Sequence, residues 1–175
     1  EENKLAEGGV MHEGKWSVLL GMNGIPSAAE ELIIARNIIF ARQIDWKIHM
    51  QHVSTAGSVQ LLRTARAEGV KVTGEATPHH LTLTDECIKK FDTNYKMNPP
   101  LRTEEDRQAI IEGLKDGTID LIATDHAPHA PEEKAKSITE APSGILGLET
   151  ALSLGITYLV EPGHLSMMEL LRKLT

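Results

Sequence analysis

The sequence of 175 residues predicts an α/β fold with parallel strands. Helical and strand patterns alternate along the chain, which is typical of strands joined by crossover helices. The last predicted strand, 119–124, is almost wholly apolar, as a strand buried on both faces should be. Composition leaves open a doubly wound sheet or a barrel. Polar residues follow the end of each predicted strand, and this favours the barrel, in which strand ends form one active-site mouth.

Local signals define each element in turn. Residues 1–27 are rich in glycine and are predicted to be an irregular loop. A helix over 28–43 follows Ser27, which forms a predicted capping box with Glu30. Residues 77–101 are predicted to be a loop with a short helix near 84–89. The remaining predictions are strands at 46–53, 70–76 and 119–124, and helices at 56–68, 103–115, 148–160 and 166–174.

Composition excludes several classes of function. The formal net charge of -7 argues against nucleic acid or an anionic membrane as the main partner. Cys87 is the only cysteine, so no disulfide framework exists within the chain, which fits a reducing cytoplasm. No run of about 18 apolar residues is present, and no membrane span is predicted.

His52 lies at the end of the first predicted strand, 46–53, just before a helix that Ser54 or Thr55 would cap. A neutral imidazole at this position is a good zinc ligand. The alternative is a hydrogen-bonded core histidine, which is the commoner role of a lone histidine. His49 lies three residues away, so strand alternation places it on the opposite face, in a structural role.

The segment from Thr124 to His129 places an Asp at the tip of an apolar strand, followed by two histidines. Asp125 could bind a metal and also move a proton, because a carboxylate beside zinc stays ionised yet can accept a proton from water. The alternative is that Asp125 only caps a turn.

Two further motifs are open to two interpretations. The pair His79-His80 at a strand end either contributes to a metal site or orients a loop. Asn98 precedes two prolines, so its backbone is biased to an extended conformation and its amide could recognise a carboxylate or an imide. A rigid turn without a ligand is the alternative. Together the motifs indicate metal-assisted hydrolysis and leave the substrate undefined.

Over nearly the whole chain, these motifs in this order resemble the dihydroorotases of the amidohydrolase superfamily. The resemblance is carried by residues 9–14, 52–55, 77–81, 96–102 and 124–129. Hydantoinases and allantoinases share the fold but usually have a Cys-Pro sequence at 77–81, and they lack the Asn-Pro-Pro-Leu-Arg run.

The resemblance implies a (β/α)8 TIM barrel, of which this chain would supply about the last three strands and their helices. We expect residues 1–175 to be a single partial domain, with the N-terminal half of the barrel and its C-terminal end absent. Several metal ligands of the family, including a paired His-x-His, would then lie outside the chain. We therefore expect the chain alone to be inactive.

The resemblance also implies roles for individual residues. One or two zinc ions would be bound, with His52 and Asp125 as ligands and Asp125 as the catalytic acid and base. Asn98 and His129 would contact the substrate, with the loop at Ser143 and Gly144 lying against it. The implied reaction is the reversible hydrolysis of dihydroorotate to N-carbamoyl-aspartate in pyrimidine synthesis, in the cytoplasm.

Two alternatives remain at this stage. One is a non-catalytic, dihydroorotase-like subunit that supports an aspartate transcarbamoylase, and the other is a cyclic amidohydrolase of the hydantoinase or allantoinase type. The expected partner is the small-molecule substrate, and the resemblance leaves open a homo-oligomer or an association with aspartate transcarbamoylase.

Overall fold

Short parallel strands form the centre of the fold in a computed structural model that describes residues 1–175. The strands are β1 (Met11–His12), β2 (Gly24–Ile25), β3 (Ile48–Met50), β4 (Val72–Ala76) and β5 (Leu121–Ile122). Three of them form a sheet in the order β3-β4-β5, and β1 pairs separately with β2. Every pairing is parallel. The predicted α/β class with parallel strands is confirmed.

Helices connect the strands and cover one face of the sheet. They are α1 (Asn3–Ala6), α2 (Lys15–Leu20), α3 (Ser27–Ile44), α4 (Ala56–Ala67), α5 (Pro78–Thr82), α6 (Glu104–Asp116), α7 (Pro131–Lys134), α8 (Ala151–Gly155) and α9 (Met167–Leu174). A π-helical turn, Ile156–Val160, continues α8, so the single helix predicted over 148–160 is shorter and changes its winding. None of the helices is both long enough and apolar enough to span a bilayer.

Capping residues fix the ends of the two long helices that follow β3 and precede β5. The Thr55 hydroxyl accepts the Ser58 N–H at the start of α4, as the sequence predicts. Thr103 and Asp106 form a capping box on α6. Gly117 ends α6 with φ +81°, a left-handed conformation that glycine adopts without a side-chain penalty.

The strands are shorter than predicted, and the three-stranded sheet does not close into a barrel. β3 spans three residues of the predicted 46–53, because it is an edge strand that has a ladder partner on one side only. Trp46 lies outside the strand and is 70% exposed. Three strands cannot form a closed barrel, so the outer edges of β3 and β5 stay unpaired.

The prediction that residues 1–27 are irregular is wrong. The segment contains α1, β1, α2 and β2, and β1 pairs with β2. Val10 and Met11 are buried against Ile88 and Ile138 in a small second core. Strands of two residues are too short to produce a periodic hydrophobic pattern, so the sequence offered no signal for them.

Two local predictions are corrected as well. Pro26, not Ser27, is the N-cap of α3, and the Glu30 carboxylate binds the turn after β3 instead of completing a capping box. The predicted loop 77–101 begins with α5, whose N-cap is Thr77. A proline in the first turn suits a helix start, because it has no N–H to satisfy.

The main core lies between the sheet and the helices. Met50, Val72, Ala76 and Ile122 face the helices, together with side chains of α3, α4, α6 and α9. Alternate residues of the strands point the other way, and in β3 and β4 this second face is polar. On this face, His49 is hydrogen-bonded to Thr73 through Nδ1 and to Glu75 through Nε2.

Candidate functional site

The candidate residues lie at one edge of the sheet. His52 follows β3, Thr77 follows β4 and Asp125 follows β5. Because the three strands are parallel, their carboxyl ends meet at the same edge, as the sequence predicts. In open and closed parallel sheets this is the edge at which ligands bind.

The backbone of His52 is held in an unusual conformation. Its φ is +38°, in the left-handed region that residues other than glycine rarely adopt. The His52 N–H donates to Glu75 Oε1 at 3.2 Å, and Glu75 Oε2 lies 2.9 Å from Nε2 of His49. Residues in such strained conformations persist where surrounding contacts fix them, often at functional sites. His49 is thus a structural residue, as the sequence predicts.

The turn after His52 is bound by a buried carboxylate. Glu30 Oε1 accepts the N–H of Ser54 at 2.9 Å and that of Thr55 at 3.2 Å, while its second oxygen accepts the Ser54 hydroxyl. Glu30 is 6% exposed, so these charge-assisted hydrogen bonds are shielded from water. Glu30 therefore fixes the backbone immediately after the candidate ligand.

Arg102 is the second residue, after Glu30, that holds this turn in place. It was not identified as a site residue from the sequence. Its side chain is 2% exposed and donates to Ser54 Oγ at 3.1 Å, to Ile25 O at 2.7 Å and to Nδ1 of His12 at 3.1 Å. It also pairs with Glu1 at 3.2 Å. The only feature of the sequence that pointed to Arg102 was its place at the end of the motif 96–102.

Burial shapes the ionisation of the groups around Arg102. Burial raises the pKa of the Glu1 carboxyl, and the Arg102 charge opposes that shift. Burial, reinforced by the Arg102 charge, lowers the pKa of His12. A neutral imidazole can accept the guanidinium N–H through Nδ1, which matches the hydrogen bond observed.

Asp125 also has a left-handed backbone, with φ +46°, and its side chain is exposed. The following segment pairs with 145–147, where His126 forms an isolated parallel bridge with Ile145. Gly147 N–H donates to Nδ1 of His126 at 3.1 Å. His126 thus fixes the chain after Asp125 in a structural role, and Asp125 is left free at the sheet edge.

His129, Ser143 and Gly144 are in direct contact. Nε2 of His129 lies 3.0 Å from the Ser143 carbonyl oxygen and donates to it. The N–H of Gly144 donates to Lys96 O at 3.0 Å. Gly144 has φ +144°, and a Cβ there would lie 2.8 Å from the Ala127 side chain and 2.9 Å from Nε2 of His129. Only glycine fits this position.

Asn98 lies beside this contact. A cavity of about 440 Å³ is lined by Glu1, Asn3, Val10, Lys96, Asn98 and Ser143, among others. A second cavity of about 200 Å³ contains His52, with Glu1, Glu30, His49 and Pro99. Glu1 and the adjacent residues Asn98 and Pro99 separate the two. The structure therefore groups Asn98, His129, Ser143 and Gly144, with His52 in the neighbouring cavity.

The two histidines of α5 differ in their contacts. His80 accepts from the Thr77 hydroxyl through Nδ1 at 2.8 Å and donates through Nε2 to the Pro99 carbonyl at 3.1 Å, so it anchors the segment after Asn98. Nε2 of His79 is buried without a hydrogen-bond partner. Burial lowers the pKa of His79 to about 2 and that of His80 to about 4. Of the two interpretations of this motif, His80 matches loop orientation.

The donors for a metal ion are incomplete within the chain. His52 and Asp125 supply an imidazole and a carboxylate, and zinc accepts both. β4 lies between β3 and β5, so their ends are separated by about 10 Å, twice the strand spacing. No group of three or more His, Cys, Asp or Glu side chains is arranged to hold a metal. A catalytic zinc site uses three protein ligands, so further ligands would be required.

Comparison of sequences relates the chain to dihydroorotases over its whole length. It is 56% identical over 174 residues to the dihydroorotase of Acetivibrio thermocellus, which is 99% of this chain and 41% of that protein. It is 54% identical over 175 residues to the dihydroorotase of Endomicrobium trichonymphae, covering 42% of it. The chain thus spans about two fifths of these relatives. No family model matches the chain.

Comparison of structures relates the chain to hydantoinase-type amidohydrolases. The dihydropyrimidinase from Brevibacillus agri matches with a TM-score of 0.80 and 26% identity, over 86% of this chain and 34% of that one. The L-hydantoinase from Arthrobacter aurescens matches with a TM-score of 0.76 and 30% identity, over 85% of this chain and 35% of that one. In both comparisons, the proteins similar to this chain are cyclic amidohydrolases.

Proposed function

We propose that this chain, which is homologous to a segment of the dihydroorotases, forms the part of such an enzyme that binds the substrate and supplies two metal ligands. The remaining ligands would come from residues outside 1–175, within a complete (β/α)8 barrel. The observation that carries the proposal is the cavity that Asn98 and Ser143 line together, next to the cavity that contains His52. His129 is hydrogen-bonded to the Ser143 carbonyl, and Gly144 packs against His129.

The proposed substrate-binding side suits a small carboxylate. His129 keeps its hydrogen bond to the Ser143 carbonyl through Nε2, so only Nδ1 remains for a ligand. A protonated imidazole donates through both nitrogens and can bind a carboxylate through Nδ1. Glu133 Oε2 lies 3.7 Å from Nδ1, beyond hydrogen-bonding distance. The exposed Asn98 amide supplies both a donor and an acceptor for the ring amide.

The metal side would be built from His52 and Asp125. A zinc ion held by these residues and by ligands from outside the chain supplies Lewis acidity, which makes water a nucleophile at neutral pH. Glu75 accepts the N–H of His52 and Glu30 accepts that of Ser54, so the backbone that carries the imidazole is fixed before any ligand binds. Such supporting contacts tune metal affinity in known sites.

Asp125 would move the proton. Water adds to the carbonyl carbon of the ring amide, the C–N bond breaks, and Asp125 passes the water proton to the leaving nitrogen. The product is N-carbamoyl-aspartate, and the reverse sequence closes the ring. The exposed position of Asp125 after β5 supports this role, since His126 and not Asp125 makes the contacts that fix the loop.

The structural neighbours favour a second candidate, a hydantoinase-type reaction. The sequence relatives weigh more, since identity is 56% to a dihydroorotase against 26–30% to these neighbours. Self-association and association with aspartate transcarbamoylase stay predictions, as does the cytoplasmic location.

A substrate panel tests the proposal. The sample is the protein expressed from the complete reading frame that encodes this chain, called here the complete gene product. We expect zinc-dependent hydrolysis of dihydroorotate and little or none of hydantoin or dihydrouracil. The variant Asp125→Asn should remain folded and lose turnover. Preference for hydantoin would favour the second candidate, and a folded, zinc-loaded protein inactive on the whole panel would favour a non-catalytic subunit.

A further inference from the structure

Lys96 is a buried ammonium group that binds only backbone carbonyl groups. It is 8% exposed, and its Nζ donates to Ala141 O at 2.7 Å and to Thr139 O at 3.3 Å. Burial lowers its pKa. A buried charge without an opposite charge destabilises a fold unless other contacts offset it. Packing alone does not explain why a charged group is buried here.

Lys134 makes the same kind of contact with backbone carbonyl groups. Its Nζ donates to the carbonyl groups of Thr93 at 2.9 Å, Pro142 at 3.0 Å and Lys96 at 3.3 Å. The Thr93 hydroxyl in turn donates to the Lys134 carbonyl. Burial lowers the pKa of Lys134, and the nearby charge of Lys96 lowers it further. Lys134 thus joins three separate stretches of chain.

The stretch that both lysines hold carries proposed substrate contacts. Lys96 binds it at residues 139 and 141, and Lys134 binds it at residue 142. The next two residues are Ser143, which lines the 440 Å³ cavity, and Gly144, whose N–H donates to the Lys96 carbonyl. Lys96 itself lines the cavity beside Asn98. The lysines therefore join the two sides of the proposed carboxylate-binding region.

We propose that Lys96 and Lys134 are positioning residues, which hold Ser143 and Gly144 against Asn98 and so preorganise the cavity for an anionic substrate. The inference rests on the proposed function. Holding a loop in its bound conformation lowers the ordering cost of binding. The fixed positive charge of Lys96, which lines the cavity, also favours an anion over a neutral ring.

The test compares lysine variants in the complete gene product. Lys134→Met removes three hydrogen bonds and keeps most of the side-chain volume. Lys134→Arg keeps the charge, but a planar fork does not reproduce three convergent carbonyl contacts. Lys136→Met is the matched control, because Lys136 is exposed and lies two residues after Lys134. The readouts are KM and kcat for dihydroorotate, and hydrogen exchange of the peptide 137–146.

We expect Lys134→Met to raise KM about tenfold or more, with kcat changed less than about threefold, because a hydrogen bond to a charged group contributes about a tenfold factor or more. Exchange in 137–146 should be faster in this variant and unchanged in Lys136→Met. Lys134→Arg should give a KM and an exchange rate between those of Lys134→Met and the unsubstituted protein. If Lys134→Met does not fold, Lys134→Arg still tests the positioning role.

Two results would overturn the positioning role. Unchanged exchange would show that Lys134 does not hold the loop, and faster exchange with unchanged KM would show a purely structural contact. Failure of the proposed function gives a different pattern: the unsubstituted protein would itself not hydrolyse dihydroorotate. Without dihydroorotate hydrolysis, the proposed role of the lysines in substrate binding would also be wrong, whatever the measured exchange rates.

Discussion

Glu75 accepts the backbone N–H of His52 at 3.2 Å and so connects the polar face of β4 to the turn that ends β3. The second carboxylate oxygen of Glu75 binds His49, so one side chain contacts both the polar face of the sheet and the backbone of the candidate metal ligand. This contact explains how His52 keeps a left-handed backbone.

The contact predicts that Glu75 controls metal affinity. In the complete gene product, Glu75→Ala should weaken zinc binding about 10- to 100-fold, the usual effect of removing a supporting contact from a metal ligand. Glu75→Gln should retain most of the affinity, because its amide oxygen can still accept the His52 N–H. Zinc titration checks both variants, with the exposed Glu112→Gln as control. Equal affinity in Glu75→Ala and the unsubstituted protein would contradict this role.

Arg102 is predicted to be essential for stability. Arg102→Met leaves Glu1 buried without its partner and removes the donor to Ser54, so we expect a loss of about 3–5 kcal/mol in the free energy of unfolding. Arg63→Met, which breaks an exposed pair with Asp116, should cost about 1 kcal/mol or less. Urea unfolding measures both, and similar losses in the two variants would refute the distinction.

The buried histidines predict a loss of stability in mild acid. His79 and His80 stay neutral in the folded chain, since burial lowers their pKa values to about 2 and about 4, while an unfolded histidine takes up a proton near pH 6.5. Stability is therefore complete above pH 6.5 and is lost as the pH falls towards 4. As the pH falls from 6.5 to 5, we expect the slope for each histidine to rise towards a limit of about 1.4 kcal/mol per pH unit, which is reached once the unfolded histidine is fully protonated.

Urea unfolding of the 175-residue chain at several pH values tests this dependence. His80→Asn should remove about half of the slope, whatever its effect on stability at neutral pH. A flat profile between pH 6.5 and 5 would mean that these histidines are protonated in the fold.

Gly144 is predicted to matter for substrate binding and not only for folding. A Cβ at this position would meet Ala127 and Nε2 of His129, so Gly144→Ala should displace the His129–Ser143 contact and raise KM for dihydroorotate about tenfold. Gly117→Ala is the control, because its φ is +81° but its Cβ would meet no atom within 4 Å. It should lower stability and leave KM unchanged. A similar KM in both variants would contradict the predicted contact.

The parallel sheet could be predicted from the sequence because its signals are local. The apolar runs and the Thr55 cap each lie within one element, and the Thr55 cap is confirmed. The placement of polar residues after each strand predicted their common edge, since parallel strands end on the same side.

Contacts between distant segments could not be predicted in this way. Glu30 pairs with Ser54, 24 residues away, and Arg102 with Glu1, 101 residues away, and neither pair leaves a periodic pattern. The spacing of Glu30 from Ser27 predicted a capping box, yet the Glu30 carboxylate accepts the N–H groups of the turn after His52. The contacts of Lys96 and Lys134 could not be predicted from the sequence either. Their partners are backbone carbonyl groups, which every residue carries.

The most direct test of the account is dihydroorotate hydrolysis, measured side by side for the complete gene product and for the 175-residue chain, each supplied with zinc. We predict turnover by the complete gene product and none by the chain alone, because the proposed ligands His52 and Asp125 would supply only two of the three or more ligands that a catalytic zinc needs. Hydrolysis by the isolated chain, or a folded and zinc-loaded complete gene product that leaves dihydroorotate intact, would contradict the account.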